Sequence, residues 1–352
     1  MTKCRIAYLA CTAAILVAGL GAAPPVSVPR THLVFPGQSI QKAVDAARPG
    51  DTVLVTSGIY HESVTVTTPH LTLRGMGRRT VVEPGTTKAA SSCAEGGNGI
   101  CVVGTKDKAV EGVTVASLTV TGFTRTGVFG TATDGMTVRN VNAVKNGVWG
   151  IAQEGSVRGV IRGNNAQDNG DAGLFLANTI KSEEGATDTL GTVVERNRLE
   201  GNRIGITVRR LRDLTVAGNH LTGNCAAVFV VGDENKPKAG DLTVRDNHIV
   251  RNNKSCPKTE RLPAIQGSGI VLTGADDTLV TRNTITGNVG NSPLSGGIVL
   301  FKSFVGVTSD RNRISDNTLD GNAPADLVNT DPGKDNTFDG NTCRASRPAG
   351  LC

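Results

Sequence analysis

One recurring pattern limits what this chain can fold into. A heptad with asparagine at its second and seventh positions and an apolar fourth residue occurs as RNRLEGN (196–202), GNHLTGN (218–224), DNHIVRN (246–252), RNTITGN (282–288) and DNTLDGN (316–322). GNNAQDN (163–169) precedes the series, and DNTFDGN (335–341) ends it as a worn copy. An apolar strand such as Leu214-Thr215-Val216 or Leu242-Thr243-Val244 comes before most copies, often opened by an acidic residue (Asp134, Asp213, Asp241, Asp277). After the heptad comes a glycine with alternating apolar residues: GLFLA (173–177), GITVR (205–209), GIVLT (269–273) and GIVLF (297–301). The shortest step between first asparagines, 197 to 219, is 22 residues, and the longer steps carry loop insertions.

Self-similarity at this period marks a solenoid, in which each repeat buries its apolar face only against its neighbours. Three short strands per unit, with no room for helices between them, specify an all-β parallel β-helix whose coils stack at ~4.8 Å. Asparagine tolerates left-handed backbone and bonds locally, so it is expected to turn the corners. Stacked in register, its amides are expected to bond from coil to coil. The Leu or Ile between the asparagines then fills the bore. With 44 glycines and 3% aromatic residues, the composition suits short strands and tight turns.

The two ends are read differently. Lys3 and Arg5 precede an uncharged run from Ile6 to Leu20, and small residues follow at Gly21, Ala22 and Ala23. Residues 1–23 are therefore expected to be a secretory signal peptide, 24–33 a linker, and 34–352 a single β-helix domain. The mature protein is expected to be secreted, monomeric and without a membrane span. Within SIQKAVDAA (39–47), Ile40, Ala43, Val44 and Ala47 share one helical face before Pro49-Gly50. This amphipathic helix is expected to cap the open end of the bore, and 343–352 to cap the other.

The stretch SIQKAVDAARPGDTVLVTSGIYHESVTVTTPHLTLRG closely resembles the opening region of right-handed β-helix proteins of the pectin-lyase-like superfamily. The heptad units are similar to that superfamily's parallel β-helix repeats, including those of the periplasmic nitrous-oxide-reductase maturation proteins. The resemblance covers roughly residues 34 to 341 and implies the fold. It does not imply an activity, since one scaffold hosts many chemistries. The polygalacturonase motifs do not match: Asp276-Asp277 and Asn329-Thr330-Asp331 stand in reverse order and without the remaining motifs. The Asp-Pro-His-Asp of alginate epimerases is not met by Asp331-Pro332-Gly333 either.

Coil stacking also orders the cysteines. Cys4 and Cys11 leave with the signal, and six remain. Cys225 and Cys256 follow the second asparagine of neighbouring copies, so their corners should lie one coil apart, within disulfide reach. Cys93–Cys101 and Cys343–Cys352 complete a local set. No C-x-x-C occurs, and no cysteine lies near a histidine in sequence, which argues against zinc.

Outward positions after each glycine place Phe175 and Ala177, Thr207 and Arg209, Phe229 and Val231, Val271 and Thr273, and Val299 and Phe301 on one face. Phe175, Arg209, Phe229 and Phe301 are candidate ligand contacts. The face is alternatively covered by the chain's own insertions at 178–191 and 253–266. Arg209, Arg210, Asp233 and Glu234 form a mixed-charge cluster, either a weak catalytic candidate or a surface salt-bridge patch. Lys302 is too distant to join it. His220 and His248 should stack one coil apart, without a third ligand for a metal. No metal site or cofactor is declared, although turns rich in Asp and Asn are compatible with Ca²⁺. A net charge of +6 for the whole chain favours acidic partners. Without a basic run interleaved with aromatics, nucleic acid is not expected. The expectation is a protein that binds an extracellular, acidic polysaccharide or cell-wall polymer. The alternative is a lyase or epimerase acting on uronic-acid polymers.

Overall fold

The computed structural model describes residues 28–85 and 91–352. The signal-peptide segment lies outside them. Among the described residues no helix is long and apolar enough to cross a membrane. The described strands form parallel sheets of 13, 10 and 11 strands and a small two-stranded one. Each coil contributes a strand to each large sheet in turn, which is the three-sided β-helix expected from the repeat.

The heptad's apolar fourth residue sits on the second sheet and points into the bore. Leu199, Leu221, Ile249, Ile285 and Leu319 follow one another in register, all buried. From the third sheet, Ile151, Leu174, Ile206, Val228, Ile270 and Ile298 form a matching buried column. One continuous apolar cluster therefore runs from Val34 to Leu327.

Asparagine ladders flank this bore. Both the backbone N–H and the side-chain Nδ2 of Asn219 donate to Asn247 Oδ1 (2.9 Å each), and Nδ2 also donates to Val194 O at 3.0 Å. The same bonding joins Asn164, Asn197, Asn219, Asn247, Asn283 and Asn317. A parallel ladder joins Asn169, Asn202, Asn224, Asn252, Asn288 and Asn322. The second ladder ends at a carboxylate: Asn322 Nδ2 donates to Asp326 Oδ1 (2.8 Å), whose Oδ2 accepts the Arg344 N–H.

Two expectations are corrected. The left-handed residue is not the asparagine but the one before it: Gly218, Gly223, Asp246, Arg251, Arg282 and Gly287 have φ between 50° and 64°. The preceding residue turns the corner, which leaves the asparagine extended enough to reach the next rung. The worn copy is also out of register. Asn341 continues from Asn317 and Asn336 from Asn312, while Thr337–Asp339 pairs with Arg313–Ser315. DNTFDGN therefore stacks on RNRISDN (311–317). Asparagine recurs every five residues at 312, 317 and 322, so the spacing alone fits either register.

The N-terminal cap is the helix Ile40–Ala46, with Ile40 and Val44 buried in the bore. Ser39 caps it by accepting the Lys42 N–H, and the Glu62 carboxylate accepts Ser39 Oγ, Ile40 N and Gln41 N. The first strand, Thr31–Val34, pairs with Thr52–Val55, so it begins inside the stretch read as a linker.

The three disulfides are Cys93–Cys101, Cys225–Cys256 and Cys343–Cys352, with Cα separations of 5.8, 6.0 and 5.5 Å. Cys256 is not at a corner. It lies in the 253–266 insertion, where it exchanges two backbone hydrogen bonds with Ile265, so its bridge pins that insertion to the coil.

Candidate functional site

The third sheet is flanked by the chain's insertions. Its strands Trp149–Glu154, Ala172–Ala177, Ile204–Arg209, Ala226–Val231 and Ser268–Thr273 are six residues long, and three insertions rise beside them. Phe129, Ala152, Phe175, Thr207, Phe229, Val271 and Val299 form one outward column in register. Glu154, Ala177, Arg209, Val231 and Thr273 form the next.

This face is covered over part of its length and open over the rest. Val271 and Val299 are fully covered. Over the middle coils a groove of about 1060 Å³ remains, with Phe175, Thr207, Arg209, Phe229 and Phe301 in its lining. The phenylalanines present little of themselves: Phe229 is 3% exposed and Phe175 6%. The aromatic available at the rim is Phe304, 65% exposed and tilted against Phe301 with ring centroids 5.1 Å apart. The 302–308 loop carries no strand periodicity, so nothing in the sequence marked Phe304.

The mixed-charge cluster divides into separate roles. Arg210, 1% exposed, donates to Asp233 Oδ2 (2.9 Å), Asn178 Oδ1 (3.1 Å), Thr179 O and Ser182 O. It therefore anchors the 178–186 insertion as a strap across the sheet. Glu234 is exposed and outside the groove lining, as is Lys302. Arg209 lines the groove, and its guanidinium has no hydrogen-bond or ion-pair partner among the described residues. Burial pushes its pKa down, the nearby Arg210 and Arg261 charges push it further, and Glu183 and Asp233 act against them without reversing the shift.

The opposite edge of the groove escaped the sequence reading. Asp171 accepts a hydrogen bond from Trp149 Nε1 at 3.0 Å, and Trp149 stacks on Phe175 with centroids 4.3 Å apart. Burial raises the Asp171 pKa, against the indole hydrogen bond and the charge of Arg203. Arg203, 7% exposed, donates to Pro257 O (2.7 Å) and Pro263 O (3.3 Å) and so holds the 253–266 wall. Its Nε and the Thr207 Oγ1 are buried without a partner among the described residues. Sequence could not have found this edge, because Asp171 and Arg203 precede their strands as ordinary corner residues.

His220 and His248 stack as expected, with centroids 5.2 Å apart. Burial, followed by the facing His248, lowers the His220 pKa. Among the described residues no three His, Cys, Asp or Glu side chains converge to hold a metal ion, and the six described cysteines are all in disulfides.

Two family models match the sequence. "Right handed beta helix region" matches residues 86–241, and "Periplasmic copper-binding protein (NosD)" matches residues 185–347. The donor set just described does not fit copper: thiolates are absent from it, and the stacked imidazoles have no third partner. No curated protein matches the sequence. Among solved structures, the A-module of mannuronan C-5 epimerase AlgE4 from Azotobacter vinelandii is similar at 19% identity and a TM-score of 0.55, over 87% of this chain and 92% of that one. An alginate lyase from Paenibacillus sp. str. FPU-7 is similar at 14% identity and 0.54, over 89% and 97%. A DFA-IIIase from Arthrobacter chlorophenolicus A6 is similar at 12% identity and 0.59, over 90% and 82%. At these identities the likeness is one of fold.

Proposed function

We propose that this right-handed parallel β-helix, of the pectin-lyase-like fold, is an exported glycan-binding protein that takes a segment of an anionic polysaccharide into the groove of its third sheet. Three disulfides suit an oxidising compartment outside the cytosol. The observation that carries the reading is Arg209, a half-buried guanidinium in a largely apolar groove that makes no hydrogen bond or ion pair among the described residues, with Glu183 and Asp233 acting on it only at longer range. Such a group gains most from a carboxylate or sulfate brought by a ligand. Arg261 on the wall adds a second cation, and Phe304 offers an apolar face to a sugar ring. Two of the structural neighbours are named for mannuronan and alginate, both polyuronates.

Binding is favoured over cleavage by distance. Elimination or epimerisation needs a base at the carbon bearing the carboxylate and a cation on that same carboxylate. Asp171, the buried carboxyl with a raised pKa, lies at the edge where the strands begin, and Arg209 lies where they end. The six steps from Arg203 to Arg209 span up to ~20 Å. A lyase or epimerase remains a second reading through Asp171 beside Arg203.

The test is a panel of acidic and neutral polysaccharides, with binding and unsaturated products followed together. Binding of polyuronates that falls in R209Q, without products, supports the proposal. Products that vanish in D171N replace it with the enzymatic reading, and binding to neutral glycans alone sinks the anionic one.

A further inference from the structure

A second, smaller pocket lies on the far side of the strap. It measures about 370 Å³, and Ile180 lines both it and the main groove, so the strap is a partition between them. Glu154 fixes that partition by accepting the Ile180 N–H at 2.6 Å. Two cations line the pocket, Arg125 and Lys181, and neither has an ion-pair partner among the described residues. The Arg125 guanidinium is held over the Trp149 ring, 5.3 Å from its centroid. Asn98 is 8% exposed, and its side-chain Oδ1 is buried without a hydrogen-bond partner among the described residues. Phe129, half-buried, supplies an aromatic surface.

We propose that this pocket is a separate subsite for a single sugar acid. Its carboxylate would lie between Arg125 and Lys181, a hydroxyl would donate to the Glu154 carboxylate, and its C–H face would rest on Phe129. Each surface has the chemistry for its part. Unpaired cations bind an anion, a carboxylate takes a hydroxyl donor, and an aromatic face takes C–H groups. The volume suits one ring and not a chain. The ligand class rests on the glycan reading of the main groove, but the site does not share its residues, Ile180 excepted.

Calorimetric titration of the mature protein with free glucuronate, galacturonate and mannuronate, and with glucose as the neutral control, tests the inference. At least one uronate should bind and glucose should not. K181Q and R125Q should each weaken that binding about tenfold, the loss expected for one charged hydrogen bond. R209Q should weaken polyuronate binding while leaving the monosaccharide unaffected. Lys181 is exposed, so K181Q should fold even if R125Q does not. The single tryptophan, Trp149, lies directly beneath Arg125 and gives a second readout by fluorescence. The inference is overturned if no uronate binds, if glucose binds equally, or if K181Q has no effect. Polymer binding lost in R209Q with no monosaccharide binding sinks the subsite and leaves the groove reading standing. Monosaccharide binding lost in K181Q with no polymer binding does the reverse.

Discussion

Arginines on the corners of the coil and arginines on the groove face opposite electrostatic situations. At the corners, Arg282 donates to both oxygens of Asp246 (2.9 and 3.2 Å) and Arg311 to both oxygens of Asp277 (2.8 Å each). Arg158 pairs likewise with Asp134. The hydrogen-bonded carboxylate raises the pKa of all three guanidiniums. On the groove, burial lowers the pKa of Arg203 and Arg209. The repeat thus brings an anion from a neighbouring coil to each of these corner cations. The third sheet breaks the repeat with insertions: Arg203 donates to carbonyls there, and Arg209 makes no hydrogen bond or ion pair among the described residues. Periodic residues build the body, and the insertions beside the third sheet shape the groove.

The strongest test of this division concerns Arg210, a groove-side arginine that is structural. Arg210→Ala should cost about 3–5 kcal/mol, the loss expected when a buried pair is broken from one side. It should also free the strap at 178–186. Urea denaturation measures the first effect and proteolysis within the strap the second. A loss as small as that of an exposed corner pair would remove Arg210 from the framework.

Asn219→Ala should cost about 2–3 kcal/mol. It strips the partner from the Asn197 amide and exposes Val194 O, buried groups for which an unmade bond costs about 1–3 kcal/mol. Ligand binding should survive wherever the protein stays folded. If N219A abolished binding in folded protein, body and groove would not be separable as drawn.

How much was legible follows the same line. The bore residues, the ladders and the capping helix were readable because each repeats, or follows a period that burial enforces. The disulfide pairing was readable because two of the bridges close short local loops and the third joins neighbouring repeats. Yet Cys256 proved to tether an insertion, and DNTFDGN slipped to another register, since an Asn spacing of five fits two alignments. On the groove, Phe175, Arg209, Phe229 and Phe301 were reachable from strand alternation. Phe304, Asp171 and Arg203 were not, nor was Asn98 in the second pocket, because loops and strand ends set their positions and no period describes those. Arg210 and Asp233 were found only as members of a four-residue mixed-charge cluster; their pairing and burial show that they hold a strap.

Arg209→Gln is the next smaller effect and should split two properties that Arg210→Ala joins. Polyuronate affinity should fall about tenfold, while stability should hold or rise, since a half-buried cation without a partner is removed. Arg282→Gln is its counterpart on the body and should leave binding unchanged. Equal losses of binding in the two variants would mean that net charge, not the groove, attracts the ligand.

Acid titration carries the comparison to the carboxylates, where the two regions should differ in sign. Burial pushes the Asp310 pKa up. The Lys238 ammonium at 2.8 Å, the Lys334 N–H and the Thr308 hydroxyl outweigh it and hold the pKa at about 2. A folded pKa below the unfolded value contributes stability that is complete above pH ~4 and fades as pH falls toward 2. Wild type should therefore lose more stability than D310N over that interval. Asp171 runs the other way. Burial raises its folded pKa, so its contribution is complete below the unfolded pKa and fades as pH rises through the folded one. D171N should remove that decline on the high-pH side. Urea denaturation of the three proteins across pH 2 to 7 reads both slopes. If D171N and D310N flattened the same limb, the groove carboxyl would belong with the paired charges of the body, and the division between the two regions would fail at its acidic edge.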